Sequence, residues 1–252
     1  MTKEDCGIEI IFVHVPKTAG TAMRKILLNI YGQDRIVLDY QKQPVEEILT
    51  KINGSPNFKV ISGHFKVDKY QNLFPNAKRI VWLREPIKRL ISQYNFWQRT
   101  VKGKGFMPIT KEKQKLMAFA KVPINRNSMY RYIENINDFW FFGIQEFFAE
   151  DLNELRNKLG WSQQEIPHSN KHKSKHYKQL VKSVMEDSEL KQRLINLNKK
   201  DVELYQRALS LREQRVNSVK TKTIELERAR TLLKNYNERL QKVKYELEKI
   251  SF

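Results

Sequence analysis

Lys17, Thr18, Gly20 and Thr21 stand together in the string Pro16-Lys17-Thr18-Ala19-Gly20-Thr21-Ala22, directly after a short apolar run and directly before an amphipathic one. The chemistry open to such a group is anion binding. A helix start leaves backbone N–H groups unpaired and carries the positive end of the helix dipole, so a lysine and a glycine in that turn make a phosphate cradle. Thr18 and Thr21 are expected to cap the exposed amides. The bland alternative is an ordinary strand-to-helix connection, in which Gly20 relieves a tight turn and Lys17 is a solvated charge. A nucleotide triphosphatase is a sharper rival, but its phosphate loop needs G-x-x-x-x-G-K-[ST], and Lys17 follows Pro16 with no glycine before it.

The elements that must position these residues are legible on either side. Ile10, Ile11, Phe12, Val13 and Val15 have the length and β-branched content of a strand buried on both faces of a parallel sheet, while Ala22, Met23, Ile26, Leu27 and Ile30 recur at helical spacing. A second strand, Phe58 to Phe65, closes on Ser62-Gly63-His64. Ligands of open α/β sheets lie beyond the carboxyl ends of the strands, which puts His64 on the same rim as Lys17. A histidine there is suited to take a proton from an alcohol near neutral pH; the alternative is a structural histidine bonded to a loop backbone. Glu46 and Glu47 are reserve bases, or simply a solvated helix face. Ile80 to Leu83 forms a third strand, and Arg84, Glu85 and Pro86 turn it into a helix that buries Leu90, Ile91 and Tyr94. Arg84 can grip a phosphate in bidentate fashion and Ser92, eight residues on, can donate one more bond. Their alternatives are an Arg84–Glu85 surface pair and a solvated serine.

Taken together, His14-Val15-Pro16-Lys17-Thr18-Ala19-Gly20-Thr21 and Leu83-Arg84-Glu85-Pro86-Ile87-Lys88-Arg89-Leu90-Ile91-Ser92 resemble the two phosphate motifs of sulfotransferases that use 3′-phosphoadenosine 5′-phosphosulfate (PAPS), in the carbohydrate-acting branch of heparan 2-O/6-O-like enzymes, sulfotransferase family 2. The resemblance implies a P-loop-like three-layer α/β sandwich around a central, mainly parallel sheet. It implies that residues Pro16, Lys17, Thr18, Ala19, Gly20, Thr21 and Ala22 hold the 5′-phosphosulfate, that Arg84 and Ser92 hold the 3′-phosphate, and that His64 is the catalytic base, with Lys17 stabilising the leaving phosphate. Phe142-Gly143-Ile144-Gln145-Glu146 resembles the stretch that closes the family's sheet, and Asp201, Leu204 and Tyr205 match its D-x-x-L-Y pattern. In the basic loop Ile166 to Lys175, Lys171 and Ser174 are expected to close over the cofactor phosphates. His168 and His172 in that loop invite a zinc reading, but no acidic or cysteine partner lies at a recognised spacing, so no metal is expected. The basic stretch from Thr100 to Arg126 reads equally as a lid or substrate-facing insertion and as a solvated helix with loops.

At 252 residues the chain has room for one α/β domain, expected over 1–209, and an appendage over 210–252. From Leu226 onward, Leu233, Leu240 and Leu247 repeat every seven residues, the pattern of a C-terminal long helix or coiled coil. A homodimer through that coiled coil is the preferred arrangement and a helix folded back on its own domain the alternative. The formal charge of +19 favours anionic partners. With 11 basic and 6 acidic residues from Ser210 on, the tail carries +5 and the catalytic part +14. Cys6 is the only cysteine, which excludes an intrachain disulfide and a cysteine-based zinc site. The first residues lack a signal core and no apolar run reaches membrane-spanning length, so a cytoplasmic protein without membrane anchor is expected. The expected partner is a carbohydrate or other hydroxyl-bearing acceptor; nucleic acid is not. Two rivals remain: a nucleotide-dependent phosphotransferase, and a non-enzymatic basic coiled-coil adaptor for nucleic acid or acidic glycan.

Overall fold

Short β-branched and aromatic runs make the strands β1 (Ile10–Val13), β2 (Ile36–Asp39), β3 (Val60–Gly63), β4 (Lys78–Leu83) and β5 (Phe141–Ile144). The computed structural model describes residues 7–40, 43–55, 57–101, 108–162 and 174–250. All strand pairs are parallel, in the order β2-β3-β1-β4-β5. The chain leaves β1 to build β2 and β3 on one side, then crosses to add β4 and β5 on the other. The ligand crevice of such a sheet lies at the carboxyl ends around β1, where the direction of winding reverses.

Between and after the strands run α1 (Gly20–Tyr31), α2 (Val45–Asn53), α3 (Pro86–Val101), α4 (Ile109–Lys121), α5 (Ser128–Ile133), α6 (Phe148–Leu159), α7 (Lys175–Glu186), α8 (Ser188–Leu197) and α9 (Lys199–Ile250). Alternate sheet residues Ile10, Phe12, Ile80, Trp82 and Phe141 pack with Met23, Ile26 and Leu27 of α1 and Leu152 and Leu155 of α6. Their neighbours Ile11, Val13, Ile61, Val81 and Leu83 are just as buried on the opposite face, as expected of a parallel sheet covered on both sides. A second apolar cluster joins Leu90 and Tyr94 of α3, Leu116 and Ala120 of α4, Leu180 and Val184 of α7 and Leu194 of α8. The solvated-helix reading of the basic stretch 100–126 is therefore corrected: α4 is a packed helix that buries Leu116, Ala120 and even Glu112. Residues 102–107 lie outside the described residues.

Register aligns the rim. Gly63 pairs with Asp39 of β2 on one side and with Val13 of β1 on the other. The next residues, Tyr40, His64 and His14, therefore fall on one rung just past the ladder, and it is extended there by His14 N–H to the Gly63 carbonyl at 2.8 Å and His64 N–H to the Asp39 carbonyl at 2.9 Å. A Cβ at position 63 would come within 1.9 Å of the Asp39 carbonyl oxygen, so only glycine admits this close approach.

The chain divides into two compact units, Met1–Ala208 and Leu209–Phe252. The second unit is the continuation of α9. Among the described residues, no helix is long and apolar enough to cross a membrane.

Candidate active site

The loop between β1 and α1 is shaped by its main chain. Lys17 and Ala19 take left-handed conformations, with φ of 70° and 76°, at a cost that bulky L-residues accept only where the surroundings hold them. The Thr18 hydroxyl donates to the Val15 carbonyl at 2.9 Å, and α1 begins without a side-chain cap. This corrects the expectation that Thr18 and Thr21 cap the helix: Thr18 braces the loop from inside and Thr21 is exposed. Among the described residues, Lys17 to Thr21 donate no backbone hydrogen bond, and the cradle is thus one of bare amides at a helix start. Pro16 is half-buried at its entrance and Ala22 buried beneath it. A Cβ at Gly20 would lie 1.8 Å from the His14 ring, so a larger residue there would displace that ring. The Lys17 ammonium rests 4.6 Å above the Phe96 ring. Burial, and then the nearby Arg84 and Arg99, pull its pKa below the usual lysine value, so an anion in the loop would relieve a standing repulsion among cations.

His64 follows β3 on the rung described above. Its Nδ1 lies 2.6 Å from the carbonyl oxygen of His14. A carbonyl only accepts, so Nδ1 carries the proton and Nε2 keeps a bare lone pair, the form a general base needs. Burial lowers the His64 pKa, and the bond to the His14 carbonyl offsets part of that shift. The ring is flanked by Tyr40 at 4.8 Å and Tyr132 of α5 at 6.4 Å between centroids. The bond to the loop backbone leaves His64 Nε2 able to accept a proton.

Arg84, at the end of β4, reaches two ways: Nη1 donates to the Lys17 carbonyl at 3.2 Å and Nη2 to the Tyr177 hydroxyl at 3.3 Å. Glu85 does not pair with it. Its carboxylate accepts from the Ile87 and Lys88 amides at 3.1 and 2.6 Å, holding the first turn of α3. Ser92, far from solvated, is 1 % exposed on α3. A cavity of about 330 Å³ opens beside Arg84, lined by Lys88, Tyr177, Lys178, Val181, Lys182 and Met185. Behind it Arg89 is fully buried, 3.8 Å from Asp201, whose carboxylate also accepts from the Met129 and Tyr130 amides at the start of α5.

The structure thus ties Arg84 to the Lys17 carbonyl of the loop, beside its unpaired amides, with His64 one strand away. Ser174 precedes α7 without a side-chain cap bond and is exposed; Lys171, His168 and His172 lie outside the described residues. Glu46 and Glu47 are exposed in the first turn of α2, Glu47 accepting from Gln43, as a solvated face would be. Among the described residues, no three His, Cys, Asp or Glu side chains gather as a metal site would require. Sequence reasoning misses His14 and Tyr40, whose signal is their place at strand ends, and Tyr177, which carries none.

Parallel sheet, a loop of unpaired amides after the first strand and an arginine after the fourth together form a site suited to an anionic group. Residues 2–206 match the Sulfotransferase family, and the chain belongs to it, in sulfotransferase family 2. A solved sulfotransferase from Alicyclobacillus acidocaldarius is similar at 13% identity and a TM-score of 0.42, over 79% of this chain and 98% of that one. No curated protein matches the chain.

Proposed function

We propose that this sulfotransferase moves the sulfuryl group of PAPS to a hydroxyl of a carbohydrate or carbohydrate-bearing acceptor, with His64 as general base and Lys17 stabilising the leaving phosphate. The observation that carries the reading is the 2.6 Å contact of His64 Nδ1 with the His14 carbonyl. It leaves Nε2 bare on the same rim as the Lys17–Thr21 amides.

When bound, PAPS supplies an activated sulfuryl group on a nucleotide that leaves as the 3′,5′-bisphosphate. Unpaired amides and Lys17 suit the 5′-phosphate, and Arg84, lining the cavity with Lys88, Lys178 and Lys182, suits the 3′-phosphate, whereas Ser92 is buried in α3 and does not line that cavity. Lys171 and Ser174 would close over it. Donor charge is then met on one side of the β1 loop, which leaves the His64 side for the acceptor. In that arrangement His64 Nε2 would take the hydroxyl proton while the acceptor oxygen replaces the 5′-phosphate oxygen on sulfur, and Lys17 with the loop amides would hold the charge on that departing phosphate. Tyr132 flanks the base with ring surface suited to the C–H face of a sugar, which supports the carbohydrate reading.

Calorimetric titration with 3′,5′-adenosine bisphosphate, beside ATP, tests the donor. The bisphosphate is expected to bind in preference, and Arg84→Ala to weaken it roughly 10- to 100-fold, the worth of a hydrogen-bonded charge contact. His64→Ala should spare this binding and abolish transfer. A folded wild-type chain that ignores the bisphosphate would sink the assignment.

A further inference from the structure

Two imidazoles share the rung past the ladder and the reaction uses one. The His14 ring lies 4.5 Å from the His64 ring and against Gly20, so closely that a Cβ there would overlap it. His14 Nδ1 is 2.9 Å from the Tyr40 hydroxyl, which lies 3.3 Å from the Ser62 hydroxyl. Tyr40 is itself stacked beneath the Arg24 guanidinium, 5.6 Å from its ring centre. We propose that His14, anchored by Tyr40, is the positioning residue that fixes the tautomer and aim of His64 and ties the base to the phosphate loop. This rests on the reading of His64 as the base.

The physical basis is constraint. At His14 the chain is leaving β1 for the strained loop, and its carbonyl orientation is not set by a regular ladder beyond this residue. The side chain of the same residue supplies the missing restraint. It is held on one face by Gly20, on another by His64 and at its edge by Tyr40. With the imidazole fixed, the carbonyl stays aimed at His64 Nδ1, and the phosphate loop and base keep one separation. His14 does not compete as a base: burial, and then His64, Arg24 and Lys17, press its pKa down to about 3, and it stays neutral next to the base.

The test reads the side-chain nitrogens directly. In the full-length chain labelled with ¹⁵N at histidine, where the chain holds five, wild-type His64 is expected as the Nδ1–H tautomer with an unprotonated Nε2. In His14→Ala the Nε2 resonance should move towards the protonated position, as the tautomer preferred by a free imidazole returns. His14→Asn places an amide where Nδ1 stood, keeps the bond to Tyr40, and should restore the wild-type signal. A folded His14→Ala chain whose His64 stays entirely Nδ1–H would overturn the proposal. Should His14→Ala not fold, Tyr40→Phe, which removes a single oxygen, decides: a shifted Nε2 supports the anchor and an unshifted one refutes it. Bisphosphate titration of the wild type is run alongside. Its failure would remove the donor reading, whereas the tautomer result, read without ligand, answers for His14 alone.

Discussion

His64 and His14 are chemically alike and placed differently, and their pH behaviour should separate. Burial lowers the His64 pKa from its ordinary value of 6.5, so a His64 acting as the proposed base would be neutral at pH 7, and transfer would be lost when acid protonates it. The acid limb of the kcat/KM profile is therefore expected below pH 6.5; a limb above pH 7 would mean that another group is the base. His14 speaks instead through stability. Its pKa is near 6.5 in the unfolded chain and about 3 in the folded one, so between these values the unfolded chain binds more protons. Stability should fall as pH drops from 6.5 towards 3, with a contribution of up to about 1.4 kcal/mol per pH unit. Urea unfolding at a series of pH values measures the slope, and His14→Asn should flatten it, while the contribution of His64, which has the same sign, remains.

Helix α3 follows Arg84 and brings Lys88 to the cavity beside it, and what holds it is partly hidden in the sequence. Its second turn is pinned through Arg89 to Asp201, which also holds the start of α5 and so places Tyr132 beside the base. Asp201→Ala would strand a buried guanidinium and is expected to cost about 3–5 kcal/mol, read as a fall in the urea midpoint. Both βα junctions are legible because a loop and its flanking periodicities are local: Lys17, Gly20 and Arg84 stand where spacing puts them. Thr18 is not, since a hydroxyl near a helix start can bond forward to the helix amides or back to Val15, and local sequence does not choose. The stretch around α4 looks solvated because its buried stripe is sparse and includes Glu112, which accepts from Tyr94 at 2.6 Å. Asp201 is recognisable by pattern, but its partner Arg89 is remote in sequence and no spacing rule connects them. The rung of Tyr40, His64 and His14 is beyond local reading for the same reason: strand register belongs to three segments at once.

Over the whole chain, charge and length divide at the end of the first unit. Leu233, a heptad position of the tail, is 64 % exposed in the single chain, consistent with a seam meant for a second helix. Removing residues 210–252 is expected to convert a dimer into a monomer in light scattering while leaving bisphosphate affinity unchanged; a monomeric full-length chain would refute the dimer. The rung has a last consequence, in time rather than in space. His14 and His64 are 50 residues apart and His14 and Tyr40 26, so His64 meets the His14 carbonyl, and His14 meets Tyr40, only when β1, β3 and β2 have closed in one register. Non-local pairings of this kind form slowly. Helical signal should therefore return early in refolding, and the ability to turn over substrate only with the final, slow closure of the sheet, which makes catalysis itself the clock of correct strand pairing.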